Sequence, residues 1–104
     1  MASGRFGKVN PAANADADVY TVPPGMVATA NVCFCNRTAA PVSVRLAVRS
    51  GPLADSDYLE YGTTIPANGI LERTGIAMTA GEIITVRASA AGVSVRAHGF
   101  EEAA

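Results

Sequence analysis

The chain has 104 residues, a formal net charge of -1 and 16% charged residues, enough for one domain with a modest core and too little for two. Ordinary soluble domains carry about 25% charged residues; with 20 Ala and 11 Val here, much of the surface must be small and bland, which suits a chain covered by copies of itself or by partners. Eight Lys+Arg against nine Asp+Glu exclude a polybasic nucleic-acid footprint, no apolar run approaches the roughly 18 residues of a membrane span, and residues 1–10 (MASGRFGKVN) lack the apolar stretch of a secretory signal.

Residues 1–16 are rich in Gly, Ala, Asn and Asp, with only Phe6 and Val9 as large apolar anchors. They are expected to form an extended N-terminal arm. No segment holds an i, i+3, i+4, i+7 apolar pattern, so no helix is expected. Residues 17–22 (ADVYTV) read as a first strand, ended by Pro23-Pro24-Gly25, where proline fixes φ and glycine accepts a positive φ. Residues 26–36 (MVATANVCFCN) form a long second strand and 37–41 a loop. Residues 42–49 (VSVRLAVR) alternate cleanly, with Val42, Val44, Leu46 and Val48 facing one way and Ser43, Arg45, Ala47 and Arg49 the other.

Residues 50–56 read as a loop. Residues 57–65 (DYLEYGTTI) follow as a strand with Gly62 as a bulge candidate. Pro66-Ala67-Asn68-Gly69 is a turn, and 70–78 (ILERTGIAM) one or two short strands. Residues 82–88 and 93–100 read as a closing hairpin, joined by 89–92. The tail 102–104 is expected to fray. The fold expectation is all-β: a single β-sandwich over 17–101, jelly-roll or immunoglobulin-like, of seven or eight short antiparallel strands.

The residues that carry chemistry are few. His98 is the sole histidine, and its neighbours on the same strand face, Ser94, Arg96 and Phe100, do not make a triad. Cys33 and Cys35 share one face. Residues i and i+2 of a strand lie near the ~7 Å limit for a disulfide, so the pair is read as reduced packing residues. Asp55, Asp57 and Glu60 offer three hard oxygens, but the 12-residue calcium loop is absent and no Trp accompanies them as a sugar platform. Asp16 and Asp18 are read in the same way, as solvated loop acids. Asn36-Arg37-Thr38 matches a glycosylation acceptor and is read as a turn whose side chains cap it. No phosphate loop, nucleophile elbow or metal-ligand cluster is present, so no enzyme, cofactor or metal is expected.

Arg45, Arg49, Arg87 and Arg96 fall on the polar phase of their strands. If those strands share a sheet they form an Arg-rich face, serving either a subunit interface with Glu60, Glu72 and Glu82 as carboxylate partners or cross-strand pairing within one chain.

Residues 20–25 (YTVPPG), 28–32 (ATANV), 35–38 (CNRT), 57–61 (DYLEY), 65–69 (IPANG), 71–75 (LERTG), 93–96 (VSVR) and 98–101 (HGFE) resemble a group of small bacteriophage virion structural proteins, including those of cyanobacterial and marine phages. The likeness runs from Val19 to Glu102 and contains no catalytic signature; the Cys-x-Cys departs from the polar or aliphatic residues expected there. It implies a β-sandwich module of a phage particle. The favoured role is a capsid cement or decoration protein, and the alternative a tail, baseplate or fibre component that acts as an adaptor or binds a receptor or glycan. The expected partners are the chain itself, as a homo-oligomer and foremost a trimer, and other virion proteins such as the major capsid protein, with no nucleic acid and no membrane. The expected location is the virion, assembled in the bacterial host cytoplasm. The expected contact residues are Phe6, Val9, Arg45, Arg49, Arg87 and Arg96, with the arm lying in a groove or on a neighbour.

Overall fold

The computed structural model describes residues 3–104 as eight antiparallel strands: β1 (Ser3–Val9), β2 (Ala17–Thr21), β3 (Met26–Asn36), β4 (Val42–Arg49), β5 (Tyr58–Ile65), β6 (Ile70–Met78), β7 (Ile83–Ala88) and β8 (Val93–Ala103). A single 3-10 turn, Asp55–Asp57, precedes β5. Two four-stranded sheets pack face to face, one ordered β1-β8-β3-β6 and the other β2-β7-β4-β5. The pairs β1·β8, β2·β7, β3·β6 and β4·β5 are those of one long antiparallel hairpin. Two further pairings, β3·β8 and β4·β7, roll that hairpin up. This is the jelly-roll order, so the topology is jelly-roll and not immunoglobulin-like.

Side-chain alternation sets the layers. In β3 the even positions Ala28, Ala30, Val32 and Phe34 are buried and the odd positions face outward; in β8 Val93, Val95 and Ala97 do the same. From the other sheet Val42, Val44, Leu46, Ile84, Val86 and Ala88 meet them. Phe34 and Leu46 are the largest wholly buried side chains of the two facing sheets. The alternation in β4 breaks at its end: a bulge follows Leu46, Ala47 becomes buried and Val48 only half-buried.

Three sequence expectations are corrected. Residues 3–9 are not a free arm but β1, hydrogen-bonded along β8. Gly7 permits this: a Cβ there would sit 2.2 Å from the Val19 carbonyl oxygen, and the Phe6 ring stacks on Tyr20 at 4.1 Å. The tail does not fray over 102–103, because Glu102 and Ala103 pair with Val27 and Met26, and the Ala104 N–H donates to the Gly25 carbonyl. Residues 82–88 and 93–100 are not a hairpin, since β7 and β8 lie in different sheets. Gly62 is the bulge residue expected, skipped between Tyr61 and Thr63 with φ 72°. Residues 70–78 form one continuous strand.

Of the seven connections, only β4–β5 stays within a sheet; every other one crosses between layers. Crossing backbone leaves its ladder partners behind and must find others. Asn36, wholly buried at the end of β3, supplies many of them. Its Nδ2 donates to the carbonyls of Ala40 (2.9 Å), Ile65 (3.2 Å) and Pro66 (3.1 Å). Its Oδ1 accepts from the Thr38 N–H (3.0 Å) and hydroxyl (2.7 Å). Its backbone N–H donates to Gly69, and that of Arg37 to Gly92. The Asn-x-Thr triplet is therefore a structural turn clamp, with its amide buried.

Replacing Asn36 by Ala strands several buried carbonyls at once and is expected to cost about 3 kcal/mol in urea unfolding. Phe6→Ala is expected to cost about 2 kcal/mol, since a half-buried ring loses part of a core phenylalanine's contribution. A free arm would show no change in that second measurement.

Candidate functional site

The sandwich has two outer faces, and the candidate residues divide between them. Arg45, Arg49 and Arg87 share the β2-β7-β4-β5 sheet; Arg96 lies on the other. The single Arg-rich face is therefore corrected to a group of three and a separate fourth.

On the first face each arginine already has a partner within the chain. Arg45 and Arg87 stand directly opposite each other, a pairing of like charges that is unfavourable unless neutralised. Arg45 answers by stacking 4.3 Å above the Tyr61 ring, and Arg87 by approaching Asp16 at 3.5 Å. Arg49 is the best held. Its Nη2 donates to both Asp18 carboxylate oxygens (3.0 and 2.9 Å), its Nε to the Thr85 hydroxyl (2.9 Å) and its Nη1 to the Gly51 carbonyl (3.0 Å). Thr85 in turn donates to Asp18 at 2.8 Å. The Asp18 carboxyl is held below its usual range, chiefly by the Arg49 hydrogen bond. The partners are thus Asp16 and Asp18 rather than the Glu60, Glu72 and Glu82 expected.

Those glutamates do other work. Glu60 pairs with Arg73 at 2.6 Å and accepts from the Thr63 hydroxyl at 2.6 Å. Both bonds hold its carboxyl below the usual carboxylate pKa, Thr63 foremost. Because β5 and β6 belong to different sheets, this ion pair closes one side of the sandwich. Glu82 accepts from the Thr79 N–H. Asp57 accepts from the Ala54 N–H, fixing the 3-10 turn. Of the acids singled out as a possible oxygen cluster, Asp57 and Glu60 are thus engaged within the chain.

Phe6 and Val9 are partly buried against the core. Phe6 stacks on Tyr20, whose hydroxyl donates to the buried Glu101 carboxylate. Burial, and then Glu101, push the pKa of the Tyr20 hydroxyl well above its ordinary value. Phe6 thus closes the opposite side of the sandwich and is largely spent within the chain.

The outer face of β1-β8-β3-β6 differs. Register aligns Lys8, Arg96, Cys33 and Glu72 in one row across all four strands, with Ser94, Cys35 and Ile70 in the next. Lys8, Val9, Cys33, Cys35, Val95 and Arg96 line a groove of about 470 Å³. Both cysteines are free and half-exposed there. Burial, then Glu72 and Cys35, push the Cys33 thiol up, making it a poor nucleophile at neutral pH. Arg37 stands at the groove's end, donating to Ser94 (2.7 Å) and Asn10 (2.9 Å). His98 is in the row beside it, opposite Arg5 and Asn31, with its Nδ1 buried and unbonded. No nucleophile is placed against it. Among the described residues no group of three His, Cys, Asp or Glu side chains is arranged to hold a metal.

A second hollow, of about 460 Å³, lies between Asp55, Tyr58 and Tyr61, whose rings meet edge to face at 4.8 Å. The 3-10 turn carries Asp55 up against the two tyrosines of β5. Lys8 and Arg37 were not singled out, because their place beside the groove depends on a register between strands far apart in sequence.

Comparison with protein families, with curated proteins and with solved structures finds no match to this chain.

The lowered Asp18 pKa fixes the direction of its pH dependence. Its carboxylate is favoured in the folded state, so its contribution is present above the unfolded value of about pH 4 and is lost as pH falls through the lower folded value. In acid titrations of stability, Asp18→Asn is expected to destabilise at neutral pH and to converge with the parent once pH has fallen through the lowered folded value. Parallel curves at every pH would show that Arg49 gains nothing from Asp18.

Proposed function

We propose that this chain is a structural protein of a phage virion, a capsid cement that acts by surface contact in many symmetric copies. The observation that carries the reading is the strand order, the eight-stranded jelly roll used by viral capsid domains. This is support by fold-level analogy, and the surface agrees with it. Among the described residues Leu59, Tyr61, Ile70 and Phe100 stay exposed, on a chain with few charges to keep it apart from neighbours. Its partners are further copies of itself, in a trimer, and the major capsid protein. It takes no cofactor, and it assembles onto the particle in the host cytoplasm. The mechanism is adhesion: modest contacts repeated by symmetry add up through avidity. With β1 built into a sheet, contact falls to the two sheet faces rather than to a free arm.

A second reading, a tail or fibre module that binds glycan, is favoured by one observation: the exposed Tyr61 and half-buried Tyr58 form an aromatic corner beside the Asp55 carboxylate. Rings there can cover an apolar sugar face while the carboxylate accepts from hydroxyls.

Copy number separates the two. Quantitative mass spectrometry of purified particles is expected to find this chain at hundreds of copies, in fixed ratio to the major capsid protein. A count of a dozen or so would favour the tail reading, and absence from particles would defeat both.

A further inference from the structure

The eight basic residues divide evenly by what they touch. Arg45, Arg49, Arg73 and Arg87 are each engaged by an acid or an aromatic ring. Arg5, Lys8, Arg37 and Arg96 have no carboxylate partner among the described residues, and all four lie on or beside the outer face of β1-β8-β3-β6. The acids are distributed the other way. Asp16, Asp18, Glu60 and Glu101 are bound to groups within the chain, and Asp57 and Glu82 cap turns. On this face Glu72 faces Cys33 from β6 and Glu102 lies at the far end of β8, beside Val27. So a near-neutral chain carries one surface with an excess of uncommitted cations, and that excess borders a largely apolar groove.

We infer that this groove is the docking face of the protein, and that its occupant is an acidic protein surface presenting carboxylates beside aliphatic side chains. The inference rests on the cement reading and names its partner's chemistry. Lys8 and Arg96 stand side by side on β1 and β8, with Cys33 and Cys35 next to them on β3, so an apolar side chain seated over the thiols lies beside two cations. Arg37 is already oriented by Ser94 and Asn10, with its Nη1 hydrogens unspent. A guanidinium fixed in this way meets a carboxylate with little further loss of freedom. Nucleic acid is the poorer match. The floor is apolar and offers no aromatic ring for base stacking, and Glu72 in the same row opposes a run of phosphates. Leaving the cations unpaired forgoes little stability, because exposed ion pairs contribute little; complementary charge across an interface sets specificity and the rate of encounter.

The test uses the full chain and particles of its phage stripped of it. The wild-type chain is expected to rebind, and to rebind less as salt is raised. Arg96→Glu is expected to weaken rebinding about tenfold or more, while Thr64→Glu on the opposite sheet leaves it within about twofold. Arg96 is exposed and unpaired, so its variant should keep the parent melting temperature. The native thiols give an independent readout. Cys33 and Cys35 should react with N-ethylmaleimide about tenfold more slowly in the bound chain, and prior labelling should block rebinding. If the wild type does not bind particles, the cement reading itself fails. If it binds while Arg96→Glu binds equally well and the thiols stay open, the cement reading stands and this docking face is wrong. Tighter binding to a single-stranded oligonucleotide than to particles would overturn the choice of partner.

Discussion

A sandwich whose strands change layer at six of seven connections must bury loop backbone at its ends, and buried backbone has to be paired. At one end that requirement falls on a single side chain. Asn36 gives up hydrogen-bond freedom in the core to hold the β3–β4 loop and the β5–β6 turn at once, while the neighbouring Arg37 N–H reaches the β7–β8 loop. An amide suits the position because it both donates and accepts. Aspartate would lose the donors and bury a charge, and leucine would fill the space but leave the carbonyls unmet. At the opposite end backbone joins the connections, Val22 exchanging hydrogen bonds with Gly81 and Glu82 to bring the β2–β3 and β6–β7 connections together, while the Glu82 and Asp57 carboxylates each cap their own turn.

The long sides are secured differently. All four pairings that involve an edge strand contain a register shift, whereas the two central pairings, β3·β8 and β4·β7, contain none. Bulges twist edges away from regular pairing with other chains. Each side also has its own bond between layers. On one, Phe6 stacks on Tyr20 and Tyr20 holds Glu101; on the other, Arg73 holds Glu60. A chain rich in alanine and valine has a thin core, and these contacts along its margins join the layers where the apolar interior runs out.

What the sequence revealed follows from what is local. Alternation in 42–49, the glycine at position 62 and the turn at 66–69 are short-range signals, and each lies where it was read. The errors share a physical origin. Alternation tells inside from outside but not one sheet from the other, so β7 and β8 looked like neighbours. β1 was missed because the strand it pairs with, β8, lies at the far end of the chain. The arginines were placed correctly on polar phases, yet which acid each would meet depended on register. Arg49 finds Asp18 and Thr85 from strands 31 and 36 residues away.

The low charge content takes on a more specific meaning in this light. Few charges would leave a uniformly bland surface if they were scattered. Here the chain has spent most of its acids internally, two capping turns and four bound to Arg49, Arg73, Arg87 and Tyr20. That bookkeeping leaves an uneven remainder: cations without partners on one face and a neutralised, aromatic-covered face on the other. Two such faces on opposite sides of one sandwich let a small module have a direction, one side toward a partner and the other toward solvent. Under the proposed cement role that polarity matters, because a module that bound particles by either face would link them together instead of coating them.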